Sequence, residues 1–435
     1  MIKPCIGIYG VLEKTEEGWK NAESLLSIVK EKLIQAGADV HAAKEIVYDE
    51  ETAMRASEFF ELNDLDLLLA VIITWSFDNL TLSIFRRVAR PIAILAMPGI
   101  RSGSLVGAQQ LGCLLTDLGI EHSVFFGTPE CLTTYESIVA YAKAITVKRR
   151  LEHGKIGNVG QRTPGMTPVA FDEVEVTRLF GPQVISYGWE EIEEQAQGLS
   201  GSRIDAQENR IRSLTDKIHS TEQSLYDSAQ LYLALRNRIQ SEGLIAVSLG
   251  CYPHYAGRVC IACSLLGDEG IPCSCEGDLN SSLAMFLLQS FSNQPVHFGE
   301  MLEVNEKENS IVTSHCGCCP LSLVASRSQV AIAPVRLFEK GACVRFPVKS
   351  GPVTFVNLVG RRGTYRVCAV QGEAVETGMI FEGNPVKIRV QIPVRNFLEI
   401  INKNGFGHHW MMGYGHVVEE LKYFCKISGL QGVFP

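Results

Sequence analysis

The chain has 435 residues, 46% of them hydrophobic and 20% charged, with a formal net charge of −8 and a pI near 5.8. That length makes roughly two to four domains of ordinary size, and so acidic a surface repels phosphate backbones, which excludes nucleic acid as a partner. The longest apolar stretch, residues 65–75, is far short of the roughly 18 residues that span a bilayer. No membrane partner is therefore expected. The first residues lack the apolar core and small-residue cleavage site of a signal peptide, and a cytoplasmic location is expected.

Residues 5–9 read as a short apolar strand, and residues 19–36 carry helical periodicity with charges on the other face. Residues 66–74 and 91–96 are continuous apolar runs of strand length, as expected of strands covered on both faces, and residues 121–126 are a weaker example. Helices fit between them, for instance over 105–118. A second α/β unit begins near Lys155, where a short strand ends in Gly160 and the loop Gln161-Arg162-Thr163-Pro164-Gly165-Met166 follows. Residues 204–241 form one long polar helix or two, residues 244–249 another strand, and residues 259–267 a helix closed by glycine. From about Pro295 short alternating runs at 310–313, 330–333, 342–346, 353–359, 365–371 and 386–391 are punctuated by Gly, Lys and Pro, an antiparallel pattern of a barrel or sandwich. Residues 417–427 close the chain as a helix. The expected fold is thus α/β: two Rossmann-like parallel domains, 1–152 and 153–294, followed by a β-rich, barrel-like domain, 295–435.

Three places concentrate chemistry. Cys275-Glu276-Gly277-Asp278 sets two carboxylates two residues apart after a strand. Phe298-Gly299-Glu300 is followed by Ser314-His315-Cys316-Gly317. The segment from Gly407 to His416 contains His408, His409 and His416. Carboxylate plus imidazole is a borderline-hard donor set suited to Mn²⁺, Fe²⁺, Co²⁺ or Zn²⁺. The chain also has 14 cysteines. Cys260 and Cys263, Cys273 and Cys275, and Cys316, Cys318 and Cys319 are bunched. The spacing of the first pair fits half a zinc knuckle, but the rest does not continue it, and buried packing is the favoured reading of these thiols.

Glu276 in Cys-Glu-Gly-Asp, Glu300 in Phe-Gly-Glu, His315 in His-Cys-Gly and the terminal His-His-Trp-x-x-x-Tyr-Gly-His together resemble L-fucose isomerase and its relatives in the fucose/arabinose isomerase group. The resemblance covers essentially the whole chain and extends to Asp78-Asn79-Leu80, Gly107-Ala108-Gln109-Gln110 and Arg162 to Met166. It implies an Mn²⁺-dependent aldose–ketose isomerase acting on an open-chain monosaccharide through a cis-enediolate. Glu276, Glu300 and His409 would hold the metal, and the two glutamates would form the acid/base pair. Two departures matter. The second acid is Glu300 rather than Asp, as in the arabinose branch, and the chain is shorter than the fucose enzyme, so both bear on the identity of the sugar. His315 is either a metal ligand or a donor within reach of the sugar. Arg162, Trp75 and Trp410 are candidates for sugar contact, and Asp278 for hydrogen-bonded support of the site. The resemblance also implies a homotrimer or homohexamer in which Trp75 of one subunit closes the site of another.

Three other readings stand beside this one. The same chemistry could act on a modified sugar, sulfonated or branched, which calls for two or more cations in the pocket not bound to metal. A sugar-binding protein without catalysis would have no use for converging Glu276, Glu300 and His409. A thiol-based zinc protein would bring Cys273, Cys275 and Cys316 together.

Overall fold

A computed structural model describes residues 2–435 and divides them into two compact units, Ile2–Val147 and Lys148–Pro435.

The first unit is built on five parallel strands: β1 (Cys5–Val11), β2 (Asp39–Ala42), β3 (Leu67–Ile72), β4 (Ile92–Ala96) and β5 (His122–Phe126), in spatial order 2-1-3-4-5. Every residue of β3 and β4 is buried, which is why these segments read as unbroken apolar runs, whereas β5, at the edge, alternates. Helices Ala22–Gln35, Glu50–Glu61, Asp78–Val88 and Ser104–Asp117 make the crossovers. The order reverses between β1 and β3, a doubly wound arrangement that places ligand-contacting loops at the carboxyl ends of these strands. Strand β2 and helix Glu50–Glu61 were not expected; the helix is opened by a capping box between Asp49 and Thr52.

The second unit begins with a four-stranded parallel sheet of β6 (Lys155–Val159), β7 (Gln183–Tyr187), β8 (Leu244–Leu249) and β9 (Cys273–Ser274), in order 7-6-8-9. The polar stretch before β8 is two helices, Gly201–Arg212 and Glu222–Glu242. The remaining strands are β10 (His297–Asn305), β11 (Ser310–Ser314), β12 (Ala331–Val335), β13 (Lys340–Arg345), β14 (Gly351–Arg361), β15 (Thr364–Val375), β16 (Val386–Val390), β17 (His409–Tyr414) and β18 (Gln431–Val433). Six of them close into an antiparallel barrel in the order 14-17-10-11-16-15, completed by the β14–β15 pairing, with β18 added parallel to β15. Strands β12 and β13 form a separate hairpin, so two of the six runs expected in the β-rich region lie outside the barrel. No helix among the described residues is long and apolar enough to cross a membrane.

Helix Leu279–Ser292 packs on β8 of the parallel sheet and on β14 and β17 of the barrel. Its N-cap is Asp278, so the turn that carries Glu276 is fixed where the two layers meet.

His297, wholly buried at the start of β10, donates from Nε2 to the Asn384 carbonyl at 2.9 Å, while Nδ1 has no partner. Burial pushes its pKa down to about 4. The unfolded chain therefore binds a proton near pH 6.5 that the folded chain refuses until about pH 4. Stability is then unaffected above pH 6.5 and falls as the pH drops from there toward 4, by an amount on the order of 3 kcal/mol for this group. In denaturation curves between pH 7.5 and 4.5, His297→Gln should shed part of that acid sensitivity. An unchanged pH slope in the variant would assign the effect to other groups.

Candidate active site

The loop between β9 and helix Leu279–Ser292 turns sharply: Glu276 and Gly277 both adopt left-handed backbone, at φ 63 and 72. A β-carbon on Gly277 would lie 2.5 Å from Arg162 Cα, so only glycine lets the two loops approach. Glu276 has no such exemption, and a non-glycine residue held in this region costs of order 1–3 kcal/mol. The strain aims a carboxylate into the site. The Glu276 carbonyl accepts from Thr163 N at 3.1 Å, which ties the turn to the loop after β6.

The barrel supplies the other groups from two adjacent strands and from the residue that follows a third. Glu300 on β10 pairs directly with His409 on β17, and on its other side with Ser314 of β11, immediately before His315. Directly opposed residues project from one face of a sheet. Phe298, two residues before Glu300 and so on that same face, packs its ring 4.7 Å from His409 and 4.8 Å from His315.

His409 is the centre of the arrangement. Its Nε2 lies 3.1 Å from Glu276 Oε2 and its Nδ1 donates to Asp278 Oδ2 at 2.8 Å, all three residues being buried. Asp278 is itself locked, accepting from Ser281 N at 3.1 Å and Ser281 Oγ at 2.6 Å. A carboxylate fixes the imidazole in this way: with Nδ1–H committed to Asp278, Nε2 is turned toward Glu276. Burial lowers the His409 pKa, but the hydrogen bonds to Asp278 and Glu276 outweigh it and carry it to about 8. Burial raises Glu276, and the hydrogen bond from His409 more than reverses this, holding its carboxyl below the usual range. Two buried carboxylates face one imidazole here, an arrangement that favours positive charge between them.

Ligand-capable atoms gather here in two overlapping triads, Glu276–His315–His409 and Glu300–His408–His409, each with its atoms within 4.8 Å of one another. His409 belongs to both. Glu276, Glu300 and His315 line one cavity of about 220 Å³ together with Met166, Tyr252 and Arg336. Each triad offers one carboxylate and two imidazoles, a donor set that suits a borderline-hard divalent cation, and the expected set of Glu276, Glu300 and His409 is divided between the two.

The other expected contacts fall elsewhere. Trp410 is only 1% exposed, because it points away from its neighbour His409 on β17 and packs among Phe355, Phe397 and Phe406. Its ring is core rather than a wall for a sugar. Arg162 is exposed and lines a neighbouring cleft with Trp189, His254 and Tyr255; Tyr252 borders both spaces. Trp75 belongs to the first unit, where its Nε1 donates to Gln110 Oε1 at 3.0 Å and its ring meets Phe77 edge-on at 5.2 Å. Asp278 is the orienting partner of His409 and does not line the cavity.

Two groups in the site had no distinctive signal in the sequence. His408 was legible as part of the histidine run but not as a neighbour of Glu300, which its Nε2 approaches at 3.9 Å. Arg336 sits in the turn of the β12–β13 hairpin, some sixty residues from Glu276 (sequence spacing alone does not connect them), and stands 5.0 Å over the ring of Phe381.

The thiols are not scattered either. Cys275 and Cys318 form a third buried triad with His315. Cys316 Sγ is 3.2 Å from His315 Nδ1 and 4.0 Å from Cys260 Sγ, and Cys263 and Cys273 meet at 3.2 Å. Cys275 and Cys316 thus converge, while Cys273 pairs with Cys263.

No protein-family profile matches the chain. A protein of Priestia aryabhattai named sulfoquinovose isomerase is 25% identical over 405 residues, covering 90% of each chain. Proteins of the same name from Alkalicoccus urumqiensis and a Clostridium species are 25% and 26% identical over 342 residues, 76% of each chain.

Proposed function

We propose that this chain is a divalent-metal-dependent aldose–ketose isomerase, of the fucose/arabinose isomerase kind, whose substrate is an open-chain sulfonated monosaccharide. The observation that carries the chemistry is the buried Glu276–His409–Asp278 relay opening on a cavity that Glu300 and His315 also line. The sulfonated substrate rests on the three relatives and on Arg336.

Glu276, Glu300 and His409 would hold the cation, Mn²⁺ being the metal proposed, and His315 stands within reach of either metal or sugar. When bound, the cation supplies polarisation of the sugar carbonyl and neutralises charge that develops on the neighbouring oxygen. The protein's own task is to move one proton between C1 and C2 and another between the oxygens on those carbons. Glu276, which the positive charge of a bound cation would keep ionised, is suited to take the first, and a carboxylate in that position can return it to the adjacent carbon. Glu300, directly opposite His409 in the sheet, is the second acid. Asp278 holds His409 in one tautomer and orientation throughout. A protein that only bound sugar would gain nothing from a strained glutamate aimed at a buried imidazole. A homotrimer or homohexamer and a cytoplasmic location belong to the same reading.

Arg336 is the cation available to a sulfonate. It is exposed at the cavity, and among the described residues no carboxylate is recorded in an ion pair with it. A guanidinium presents a planar fork of donors to a group of three oxygens. The cavity holds this one arginine rather than two; Arg162 lies in the adjoining cleft. The test is an assay with Mn²⁺ of sulfoquinovose against L-fucose and L-arabinose, for the native protein and Arg336→Ala. The native protein should turn over the sulfonated sugar best. The variant should raise KM for that sugar by about tenfold or more, the worth of a hydrogen bond to a charged group, with kcat little changed. An equal effect on sulfonated and plain sugars would remove Arg336 from anion recognition, and no turnover of any aldose would sink the isomerase reading itself.

A further inference from the structure

Beside the cavity, with Cys316 in its wall, lies a concentration of sulfur that isomerisation does not use. Cys275 is adjacent in sequence to Glu276, yet its buried side chain gathers with His315 and Cys318, all three ligand atoms within 4.8 Å of one another. Cys316 Sγ and Cys318 Sγ lie 3.2 and 3.8 Å from the same imidazole atom, His315 Nδ1. A tetrahedral zinc with Zn–S bonds of about 2.3 Å and Zn–N bonds of about 2.1 Å sets its ligand atoms about 3.7 Å apart. The spacings found here bracket that value.

Packing alone does not account for the cluster. A buried cysteine that only fills volume is a small hydrophobe, and nothing about volume requires thiols from separate segments to meet one another and a histidine nitrogen. Two turns hold them in place. One is the left-handed pair Glu276–Gly277; the other passes through Gly317 at φ 98, where a β-carbon would lie 2.8 Å from the side chain of Cys343. Thiolate and imidazole donors select a soft or borderline metal, and four protein ligands make a closed, structural site rather than an open catalytic one.

We propose that Cys275, Cys316, Cys318 and His315 Nδ1 form a structural zinc site of the Cys₃His type, set back to back with the carboxylate–imidazole site. His315 belongs to the Glu276–His409 triad as well. Zinc at this position would therefore fix the orientation of an imidazole that faces the cavity. The inference stands on the thiol geometry and does not depend on the isomerase reading.

The test uses the full-length protein, purified without chelator and then dialysed against EDTA to remove loosely held metal. Titration of its thiols with p-hydroxymercuriphenylsulfonate, in the presence of the zinc indicator 4-(2-pyridylazo)resorcinol, should release one zinc per chain. Protein stripped under reducing conditions and given Co²⁺ should show a sulfur-to-cobalt charge-transfer band in the near ultraviolet with the visible bands of a tetrahedral ion. Cys318→Ser should weaken zinc binding by about 100-fold or more, since loss of even an outer partner costs 10–100-fold. Cys425→Ser, a buried thiol in the terminal helix Val418–Ser428, should leave both readouts unchanged. No zinc release with all thiols free, a disulfide among these cysteines, an iron–sulfur chromophore, or no charge-transfer band in the cobalt-treated native protein would each overturn the assignment. None of these readouts involves sugar turnover, so failure of the zinc site and failure of the isomerase reading are separately visible.

Discussion

Glu276→Gln should lower turnover by about a thousandfold or more while leaving the fold intact. The substitution keeps the volume of the side chain and removes the group that can take a proton from carbon; positioned acid–base catalysis typically contributes ~10²–10⁴-fold. It also removes a negative charge from the cation site, so the metal requirement should shift to higher concentration. The fold should survive because the turn is held by its backbone: Gly277 against Arg162, Thr163 N donating to the Glu276 carbonyl, and Asp278 capping the following helix. Two measurements decide the role. The first is kcat at saturating Mn²⁺. The second is exchange of the C2 hydrogen of the sugar with deuterated water. Loss of both places Glu276 in the proton transfer. Exchange and turnover at the native rate would leave it only a structural part.

How much of this could be read from the sequence depended on whether the signal was local. Strands β3 and β4 were legible because burial on both faces writes an unbroken apolar run. Strand β8 was legible to the residue for the same reason. Strand β17 was not, although every residue in it is buried: His409-Trp410-Met411-Met412-Gly413-Tyr414 mixes polar and apolar types and so shows neither alternation nor a uniform run. The histidines could then as well have opened a helix. The open choice over Trp410, sugar contact or core, has the same origin. Only once the segment is a strand does it follow that His409 and Trp410 face opposite sides, and that a histidine turned toward Glu276 implies a tryptophan in the core.

Long-range proximity was legible only through motif resemblance. Glu276 and His409 are 133 residues apart, and no periodicity joins them. The antiparallel register between β10 and β17 sets Glu300 opposite His409, a fact of barrel closure rather than of either segment. The thiols show what is lost without such a guide. Taken singly, each pair of cysteines is consistent with core packing. The meeting of Cys275 with Cys316 and Cys318 depends on the Glu276 turn and on the loop after β11 arriving at one place.

His409→Leu should be the most damaging single change, in stability as well as activity. Activity should vanish because the substitution deletes the residue common to both carboxylate–imidazole triads. The stability effect has a separate cause. His409 stands between Glu276 Oε2 and Asp278 Oδ2, whose side chains are only 11% and 6% exposed. Removing one partner of a buried ion pair leaves uncompensated charge and costs roughly 3–5 kcal/mol. Asp278 keeps its two hydrogen bonds from Ser281, so most of the penalty falls on Glu276. The pH dependence should then change sign at this residue. In the native chain without metal, the folded Glu276 carboxyl lies below its ordinary value of 4.5, so its contribution is present above that pH and lost on acidification. Without His409 the hydrogen bond that holds it down is gone, and burial, the largest influence on it, shifts it upward against the remaining pull of His315. Its favourable protonated form is then fully populated only below the unfolded value, and stability is lost as the pH rises through the new, higher pKa. Denaturant midpoints of chelator-treated native and variant protein, measured from pH 4.5 to 6.5, below the range in which the native His409 imidazolium itself titrates, should therefore diverge with rising pH, the variant falling further behind. A constant offset across that range would mean that Glu276 finds another partner when His409 is gone.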